Sequence, residues 1–427
     1  MLKPLKDTVV GVVDFGLFSD YAAHIAKSVK KVYYHNPSWK NDFPSSRGVR
    51  IGSGLAANMV VAKEFWDIKK ECDWFWFPDV YLGDWQEELK SQGLAVCGAG
   101  KSEWLERNRE RLIEWELEEQ MDAPDAEVVV GIDVLEKVLQ PGDFVKINDY
   151  RADMETTRYY DYKTMKQWIE VERAYYGPWQ NEQEFIIIKK IDGKEIGYDG
   201  WSVNGNYPQV SMWGIEIKGV AYAGKAALYN SMPAAIRSTN AHLAKVFQAE
   251  KTKTMFSTEV RVDKRRRAYL TDPCMREGNP PNQSQQCLFS NMPDVLYGLA
   301  NGTLINGKPT AKFVVQLQMW SNFVKENPTT VEFPDAVRPF IKLRNAAKIN
   351  NQYVVVPSSS QYVHPLLDMR NPTLGAIVGV ANSVQAAADQ CRKHAEQVKA
   401  YELEIDLGAL DKLNEEIGEF KEYGIQF

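Results

Sequence analysis

The length, composition and charge of the chain exclude several classes of protein. Its 427 residues are too many for one hydrophobic core, so two to four domains are expected, and the 44% hydrophobic and 25% charged content is typical of a globular protein. The net charge of −6, without a long basic tract, argues against a chain that coats nucleic acid or an anionic membrane.

The cysteines and the apolar runs bear on the cellular compartment. The five cysteines are odd in number and scattered, and none has zinc-finger spacing, so no disulfide framework is indicated. No apolar run approaches the ~20 residues of a membrane-spanning helix. The apolar run near the N-terminus is too short for a signal peptide. We therefore expect a soluble cytoplasmic protein.

Residues 1–105 alternate between strand and helix patterns. Apolar strand runs occur in DTVVGVVDFG, KVYYHN, CDWFWFPD and LAVCGAG, and segments with helical periodicity occur in DYAAHIAKSVKK and GDWQEELKSQG. Strands that alternate with helices form parallel sheets with helices on their faces. This stretch is predicted to be an N-terminal α/β domain.

The rest of the chain is predicted to form two more domains, which gives a mixed α/β and α+β fold. Residues 106–305 follow the start of a charged helix at 101–121 and contain strand patterns at 142–150 and 182–205, whose Asp-Gly and Asn-Gly turns favour hairpins. A helix over 232–251 leads into a further β-hairpin. Residues 306–427 contain strands, a helix and a final acidic surface helix, and are predicted to be a small C-terminal α/β domain.

That further hairpin, STEVRVDKRRRAYLTD at 257–272, brings two carboxylates face to face. If its turn centres on Arg265 and Arg266, Glu259 lies opposite Asp272 on one face of the sheet. Carboxylates about 5 Å apart across a ladder repel each other, and a divalent cation between them would remove the repulsion. The alternative is a surface hairpin with cross-strand salt bridges, and this segment alone does not decide between them.

A proline, a thiol and an arginine follow the hairpin. Pro273 cannot donate to the ladder, so regular pairing is expected to end there, and an extended chain then places Asp272, Cys274 and Arg276 on one face. Carboxylates beside an arginine suit Mg²⁺ that bridges nucleotide phosphates, because Mg²⁺ prefers oxygen ligands and guanidinium groups bind phosphate oxygens.

Three other segments have a functional and a structural interpretation each. Lys146, inside the apolar strand FVKIND, is either an edge residue that reaches solvent or a fixed charge for a phosphate. The loop YRADMETT at 150–157 contains Arg151, which could cover phosphates, although the loop has no glycine. The run IIIKKIDGKE at 186–195 could present backbone to an adenine edge, or it is a core strand with its hairpin.

The order and spacing of these features resemble the ATP-grasp superfamily, and within it the phosphoribosylamine–glycine ligase family. The shared features are the strand lysine, an apolar strand that ends in Gly-x-Glu, and a hairpin with Glu and then Asp-x-x-x-Arg. TDPCMREGNPPNQ resembles the family's Glu-x-Asn-x-Arg-x-Gly-Asp-Pro motif. The resemblance covers most of the chain and implies a two-part ATP-binding domain of antiparallel sheets between the two α/β domains.

The resemblance also implies a role for each site residue. Glu259 and Asp272 would bind Mg²⁺ (or Mn²⁺), and Arg276 would stabilise an acyl-phosphate intermediate and its transition state. Arg109 and Lys146 would bind phosphates, and residues 189–191 would present their backbone to adenine. The residues assigned to ATP are Arg109, Lys146, Arg151, Lys189, Lys190, Ile191 and Glu195.

The sequence departs from the family pattern at several of these positions. Lys189 and Lys190 stand where the family usually has acids, Cys274 replaces the metal-binding Asn, and Asn279 replaces the Asp of Gly-Asp-Pro. DYRADMETT replaces the glycine-rich phosphate loop. These changes put the contacts to ribose and the usual glycine and phosphoribosylamine substrates in question.

The implied activity is an ATP-dependent carboxylate–amine ligase that acts on small molecules, as a monomer or homodimer, without a nucleic-acid or membrane partner. One alternative is a protein of the same fold that binds nucleotide without turnover. Another is a dinucleotide oxidoreductase, but DFGLFSD lacks the G-x-G-x-x-G pattern that such a site needs. A role in nucleic-acid binding would depend on DKRRR alone, which is more simply a solvated turn.

Overall fold

A computed structural model describes residues 2–37, 50–62, 64–147, 156–325, 327–357 and 373–427. Arg151, one of the predicted phosphate-binding residues, lies outside these ranges. Within them, no helix is both long enough and apolar enough to cross a membrane.

The N-terminal strands form the predicted parallel sheet. Its elements are β1 (Val9–Val13), α1 (Ser19–Ala26), β2 (Lys31–His35), β3 (Met59–Ala62), α2 (Phe65–Ile68), β4 (Trp74–Trp76), α3 (Gly83–Ser91) and β5 (Ala95–Cys97). The strands pair in parallel in the order β3-β2-β1-β4-β5. The apolar residues of β2 and β4 and most of those of β1 are buried, as is typical of strands covered on both faces, whereas Val60 of the edge strand β3 is exposed. The predicted α/β architecture of this part is confirmed.

The charged helix predicted over 101–121 is in fact two helices. After a 3-10 turn, α4 (Trp104–Arg107) ends and α5 (Arg109–Glu118) begins. Asn108 between them is extended (φ −127°, ψ 100°), and its side chain accepts a hydrogen bond from the Arg111 amide at 2.9 Å. The prediction of one helix was wrong because asparagine is a strong N-cap that starts a new helix. The break places Arg109 at the start of α5.

A small antiparallel sheet follows, with two helices against one face. Its elements are β6 (Ala126–Val130), α6 (Ile132–Val138), β7 (Phe144–Ile147), β8 (Thr156–Arg158), α7 (Tyr162–Tyr176) and β9 (Glu184–Ile188). The strand order is β6-β9-β7-β8. Phe185 and Ile187 share a core with Trp168 and Ile169 of α7. Lys146 on β7 points to the opposite face of this small sheet, because the side chains of a strand alternate.

The Asp-Gly turn after β9 connects two sheets and does not form a hairpin. β9 belongs to the small sheet, whereas β10 (Lys194–Val203) belongs to a large sheet. The prediction of paired strands around Asp192 and Gly193 was therefore wrong. The Asn-Gly prediction was right: Asn204 and Gly205, with φ values of 50° and 81°, join β10 to its antiparallel neighbour β11 (Val210–Ile217).

The large sheet runs through the rest of the chain. The elements that follow β11 are β12 (Ala221–Leu228), α8 (Ala234–Ala249), β13 (Lys253–Val262), β14 (Ala268–Cys274), α9 (Asn282–Leu288), α10 (Met292–Ala300), β15 (Phe313–Ser321), β16 (Thr329–Glu332), β17 (Ile341–Leu343), β18 (Ala346–Ile349), β19 (Gln352–Val355), β20 (Thr373–Ala381), α11 (Val384–Ala395), β21 (Lys399–Ala400), β22 (Leu403–Glu404) and α12 (Ala409–Glu419). The order is β14-β13-β10-β11-β12-β15-β20-β17, with β22 beside β15. A separate sheet has the order β18-β19-β16-β21. The large sheet crosses residue 305, so the domain limits at 105 and 305 stay a prediction.

The two faces of the large sheet pack against different partners. Trp201 and Met212 lie in one core with Trp74 and Trp76 of the parallel sheet. Tyr198 and Trp213, whose side chains point the other way because strands alternate, lie in a second core with Phe247 of α8. The parallel sheet is therefore fixed against the large sheet by shared apolar burial.

Glu277, just after β14, is a charged residue buried beside the parallel sheet. Its backbone amide donates to the Pro78 carbonyl at 2.9 Å, and the residue is 1% exposed. Neither carboxyl oxygen has a hydrogen-bond partner among the described residues. Burial raises the pKa of Glu277 from 4.5 to about 8. The carboxyl group is therefore largely protonated at neutral pH, and ionising it opposes folding.

Glu277→Gln is expected to change how stability depends on pH. Because the folded-state pKa is raised, the wild type loses stability as the pH rises from about 4.5 to about 8, by an amount on the order of a few kcal/mol. A glutamine side chain does not ionise, so the variant does not lose this stability. Its melting temperature should therefore rise relative to that of the wild type as the pH increases. Glu118→Gln, at an exposed position, is the control. A constant difference between Glu277→Gln and wild type from pH 4.5 to pH 9 would contradict the assignment.

Candidate active site

The β13–β14 hairpin places Glu259 opposite Asp272, as the sequence predicted. The two residues are direct partners in the ladder, and the turn between the strands covers residues 263–267. Near the turn Val262 pairs with Ala268, one residue out of the predicted register. A bulge next to Glu259 takes up Thr271 and restores the predicted pairing. The basic residues 264–267 are an exposed turn.

Pro273 does not end the pairing, which was a wrong prediction. Thr258 pairs with Pro273, and the ladder continues to Ser257 and Cys274. β14 is the edge strand in the described order of the large sheet. A proline is tolerated on an edge strand because its missing N–H can face away from the neighbouring strand. The ladder therefore carries Cys274 in a fixed position beside Asp272.

Asp272 is bound by two of the predicted phosphate-binding residues. Arg109 Nη1 lies 3.0 Å from Asp272 Oδ1, and Lys146 Nζ lies 3.8 Å from Oδ2. Burial acts to raise the pKa of Asp272, but the charges of Arg109 and Lys146 outweigh it and bring that pKa well below its usual range. Burial and the Arg109 charge lower the pKa of Lys146. The start of α5, the small sheet and the hairpin thus converge on one carboxylate.

Glu259 is bound by a lysine that the sequence analysis missed. Lys218 Nζ contacts Glu259 Oε1 and lies 2.9 Å from Glu195 Oε1 and 3.6 Å from Glu216 Oε2. Burial raises the pKa of Glu259 to about 7, with Lys218 opposing the rise and Glu195 adding to it. The alternation in GIEIK (214–218) was an available signal, because it places Glu216 and Lys218 on the same face of β11 and its extension.

Glu195, the acid of the Gly-x-Glu pattern, joins the same group of charges. In addition to Lys218, it accepts from Arg261 Nη2 at 2.8 Å. Burial would raise the pKa of Glu195, but Lys218 and Arg261 together hold it below its usual value. Glu195 is therefore ionised and its oxygens are engaged by protein cations.

Arg276 is positioned by a second residue that the sequence analysis missed, Glu106. Arg276 Nε lies 2.7 Å from Glu106 Oε1, and the Met275 amide donates to Glu106 Oε2 at 2.6 Å. Glu106 is 2% exposed. Cys274 Sγ lies 3.9 Å from the same carboxylate, and burial raises the pKa of the thiol well above its usual value. The thiol is therefore protonated, which is a poor state for binding a hard cation.

These residues surround a cavity of about 260 Å³, which we call the hairpin cavity. The site residues that line it are Arg109, Glu195, Glu259, Asp272, Cys274 and Arg276. Lys146 approaches Asp272 from the small sheet. Lys189, Lys190 and Ile191 are not among the described residues that line the cavity: Lys189 Nζ lies 2.9 Å from Asp143, and Lys190 Nζ lies 2.7 Å from Asp192. Their predicted role toward adenine stays a prediction.

The donor set fits a metal ion only in combination with a ligand that brings further oxygens. Among the described residues, no group of three or more histidine, cysteine, aspartate or glutamate side chains is arranged to bind a metal ion. Glu259 and Asp272 supply two hard carboxylate groups. Mg²⁺ is commonly bound by one or two carboxylates, water and substrate phosphates. The pair therefore suits a magnesium–phosphate complex better than an isolated ion.

A parallel α/β unit and a small antiparallel sheet beside a large sheet that carries a charged cavity are the architecture of the ATP-grasp fold, and solved structures of this class match the chain. Phosphoribosylamine–glycine ligase from Thermotoga maritima has a TM-score of 0.66 at 12% identity, over 92% of this chain and 98% of that one. The biotin carboxylase domain of the 2-oxoglutarate carboxylase from Hydrogenobacter thermophilus, solved with MgADP, ADP and bicarbonate, has a TM-score of 0.64 at 10% identity, over 98% and 96%.

L-amino acid ligase from Bacillus licheniformis is also similar, with a TM-score of 0.60 and 14% identity over 93% of this chain and 99% of that chain. Neither protein-family sequence profiles nor the sequences of curated proteins give a match. At these identities the similarity shows a shared fold. The ATP-grasp fold inferred from the sequence is confirmed at that level.

Lys218→Met is expected to destabilise the protein in metal-free buffer. The change removes the cation shared by Glu195, Glu216 and Glu259. Because Lys218 is half exposed, we expect a loss of about 1 to 2 kcal/mol rather than the larger cost of breaking a buried pair. Added Mg²⁺ should restore more stability to this variant than to the wild type, as followed by thermal melts. Lys30→Met, at an exposed position, is the control. Equal melting temperatures for Lys218→Met and Lys30→Met would rule out this role.

Proposed function

We propose that this protein is an ATP-dependent ligase that joins a small carboxylate to an amine through an acyl-phosphate intermediate. The observation that carries the proposal is the pairing of Glu259 with Asp272 across the hairpin, with Arg109, Lys146 and Lys218 around them. Opposed carboxylates beside fixed cations are what a site needs to bind Mg²⁺ and phosphate groups together. The enzymes of the same fold, two of them named as ligases, support this choice.

ATP with Mg²⁺ (or Mn²⁺) would occupy the hairpin cavity. Glu259 and Asp272 would bind the metal ion, which supplies positive charge to the phosphates. Arg109 and Lys146, now engaged by Asp272, would bind phosphate oxygens once the metal ion neutralises that carboxylate. Lys218, which now contacts Glu259, would be released in the same way and could then bind a transferred phosphoryl group.

The remaining assignments toward ATP follow the family pattern. Residues 189–191 lie on the connection between the small and large sheets, and Glu195 lies at the start of β10, just after it. This is the expected place for adenine and ribose. The backbone amide of Lys189 donates to the Asp125 carbonyl at 2.8 Å, so other backbone groups of this connection would have to contact adenine. Arg151 is proposed to cover the phosphates.

The reaction would proceed in two displacements. A carboxylate oxygen of the substrate attacks the γ-phosphorus of ATP, the bond to ADP breaks, and an acyl phosphate forms. The amine then attacks the acyl carbon, phosphate leaves, and the amine gives up a proton. Arg276, fixed by Glu106, would stabilise the charge on the acyl phosphate and in both transition states. The work of the chain is mainly positioning and charge neutralisation.

Binding of Mg-ATP should depend on both carboxylates of the hairpin. At about 100 times its dissociation constant, a ligand specific for the folded state adds roughly 2.7 kcal/mol to stability. We expect a thermal shift of the wild type with Mg-ATP, and about tenfold or greater loss of Mg-ATP affinity in Glu259→Gln and Asp272→Asn by calorimetry. The affinity for ATP in the absence of a metal ion should be reduced much less by Glu259→Gln.

The exposed Glu396→Gln is the matched control for these two variants and should bind Mg-ATP as the wild type does. Wild-type protein that binds no Mg-ATP, or a Glu259→Gln, Asp272→Asn double variant that binds it normally, would reject the site.

A nucleotide-binding protein without turnover is the second candidate. The observation in its favour is Cys274, which stands where the family has a metal-binding Asn and whose thiol is protonated. It predicts Mg-ATP binding without ADP release for any carboxylate–amine pair.

ADP release over a panel of amino acids, other carboxylates and amines separates the two candidates. We expect release with at least one pair, an unchanged rate in Cys274→Ala, and a lower Mg²⁺ requirement in Cys274→Asn, because the amide restores an oxygen ligand. A loss of more than about tenfold in a folded Cys274→Ala variant would mean that the thiol takes part in the chemistry. Binding without release across the panel would favour the second candidate.

A further inference from the structure

A second cavity lies between α1, the 3-10 turn Asp335–Phe340 and β17. We call it the basic cavity. Its volume is about 520 Å³, roughly twice that of the hairpin cavity, and within the range of small-molecule sites. No described residue lines both cavities. The ligase mechanism makes no use of it.

The charges that face the basic cavity are mostly positive. Lys27, Arg338 and Lys342 line it, with Asp20 as the single carboxylate among the described lining residues. Asp20 is already engaged: Arg338 Nη1 lies 3.3 Å from Asp20 Oδ2, and the second guanidinium nitrogen contacts Oδ1. The charges of Asp20 and Arg338 therefore cancel. Lys27 and Lys342 are the two further positive charges among the described residues that line the cavity.

Neither lysine has a carboxylate within ion-pair distance in the described part of the chain. Lys342, on β17, is 6% exposed, whereas Lys27, the C-cap of α1, is exposed at the rim. Burying an ammonium group without a counter-charge costs free energy. Lys342 is therefore a buried cation, and the one carboxylate among the described residues that line its cavity, Asp20, is already paired with Arg338.

The neighbouring groups show the effect of the positive field. Burial, with the charges of Lys342 and Lys27, lowers the pKa of His24 to about 3. Burial and the Lys342 charge lower the pKa of Lys27. His24 is therefore neutral at pH 7 and adds no compensating or opposing charge. An anion in the cavity would reduce the repulsion between the two lysines.

The shape of the basic cavity limits the size and type of that anion. Ala23, Leu55 and Phe340 give it apolar walls, while Tyr353 Oη is already an acceptor for Arg338 Nε at 2.9 Å. We propose that the basic cavity is a second ligand site, which binds a small molecule with a doubly charged oxyanion, Lys342 and Lys27 being its counter-ions. A phosphate monoester and a dicarboxylate both have this chemistry.

The site is distinct from the nucleotide site although one segment of chain links them. Two residues after Lys342, Arg344 Nη2 contacts Asn279 Oδ1, and Asn279 lines the hairpin cavity. Arg344 therefore contacts a residue that lines the hairpin cavity, whereas Lys342 lines the basic cavity. A phosphate ion that bound through Arg109 and Lys146 instead would report on the nucleotide site, so the test has to separate the two.

The test is calorimetric titration of the full chain with inorganic phosphate, glycerol phosphate and succinate at constant ionic strength, against chloride. Binding of any of the three beyond chloride is expected, weakened about tenfold or more in Lys342→Met and in Lys27→Gln. Lys30→Gln, a nearby exposed lysine, and Arg109→Gln, in the hairpin cavity, should keep wild-type affinity. Tighter binding of phosphate and glycerol phosphate than of succinate would identify the anion as a phosphate, and the opposite order of affinities would identify it as a dicarboxylate.

Three results would overturn the proposal. They are no binding beyond chloride, unchanged affinity in both lysine variants, or loss of affinity in Arg109→Gln with retention in Lys27→Gln. If Lys342→Met does not fold, Lys27→Gln carries the test, because its side chain is at the exposed rim and its removal leaves the core intact.

Discussion

The repulsion between two carboxylates that face each other across one β-ladder is the constraint on which the site depends. Glu259 and Asp272 are fixed as partners by the hairpin, so their charges cannot separate without breaking the sheet. Cations from three parts of the chain compensate this repulsion. They are Arg109 at the start of α5, Lys146 on the small sheet and Lys218 after β11. The N-cap at Asn108 positions Arg109 at the start of α5, and β7 of the small sheet positions Lys146 beside the hairpin.

The same cations bear on the proposed binding of a nucleotide. While no metal ion is bound, protein cations compensate the acids, and the hairpin folds without its ligand. On the proposed function, Mg²⁺ bound with ATP would neutralise the two carboxylates, and Arg109, Lys146 and Lys218 would then be available to phosphate groups. Such an exchange would keep the local charge balanced with and without the nucleotide.

The alternation of the sequence predicted the local part of the site, and the family resemblance supplied the distant Arg109 and Lys146, which lie on Asp272. The alternation along one hairpin was enough to place Glu259 opposite Asp272, although it could not show the bulge at Thr271 that restores the register. Lys218 and Glu106 come from distant segments, so only the tertiary fold brings them to the hairpin. Local propensity does not decide whether Asn108 caps a new helix or continues the preceding one. It also does not decide whether Asp192-Gly193 closes a hairpin or connects two different sheets.

The most direct test of the central claim is a crystal structure of the protein with Mn²⁺ and a non-hydrolysable ATP analogue, with data collected at the manganese absorption edge. The account predicts an anomalous peak between Glu259 and Asp272, in direct contact with a carboxylate oxygen of each and with phosphate oxygens, and Lys218 withdrawn from Glu259. An anomalous peak elsewhere, or an analogue bound in the hairpin cavity with Lys218 still on Glu259 and no metal ion between the two carboxylates, would contradict it.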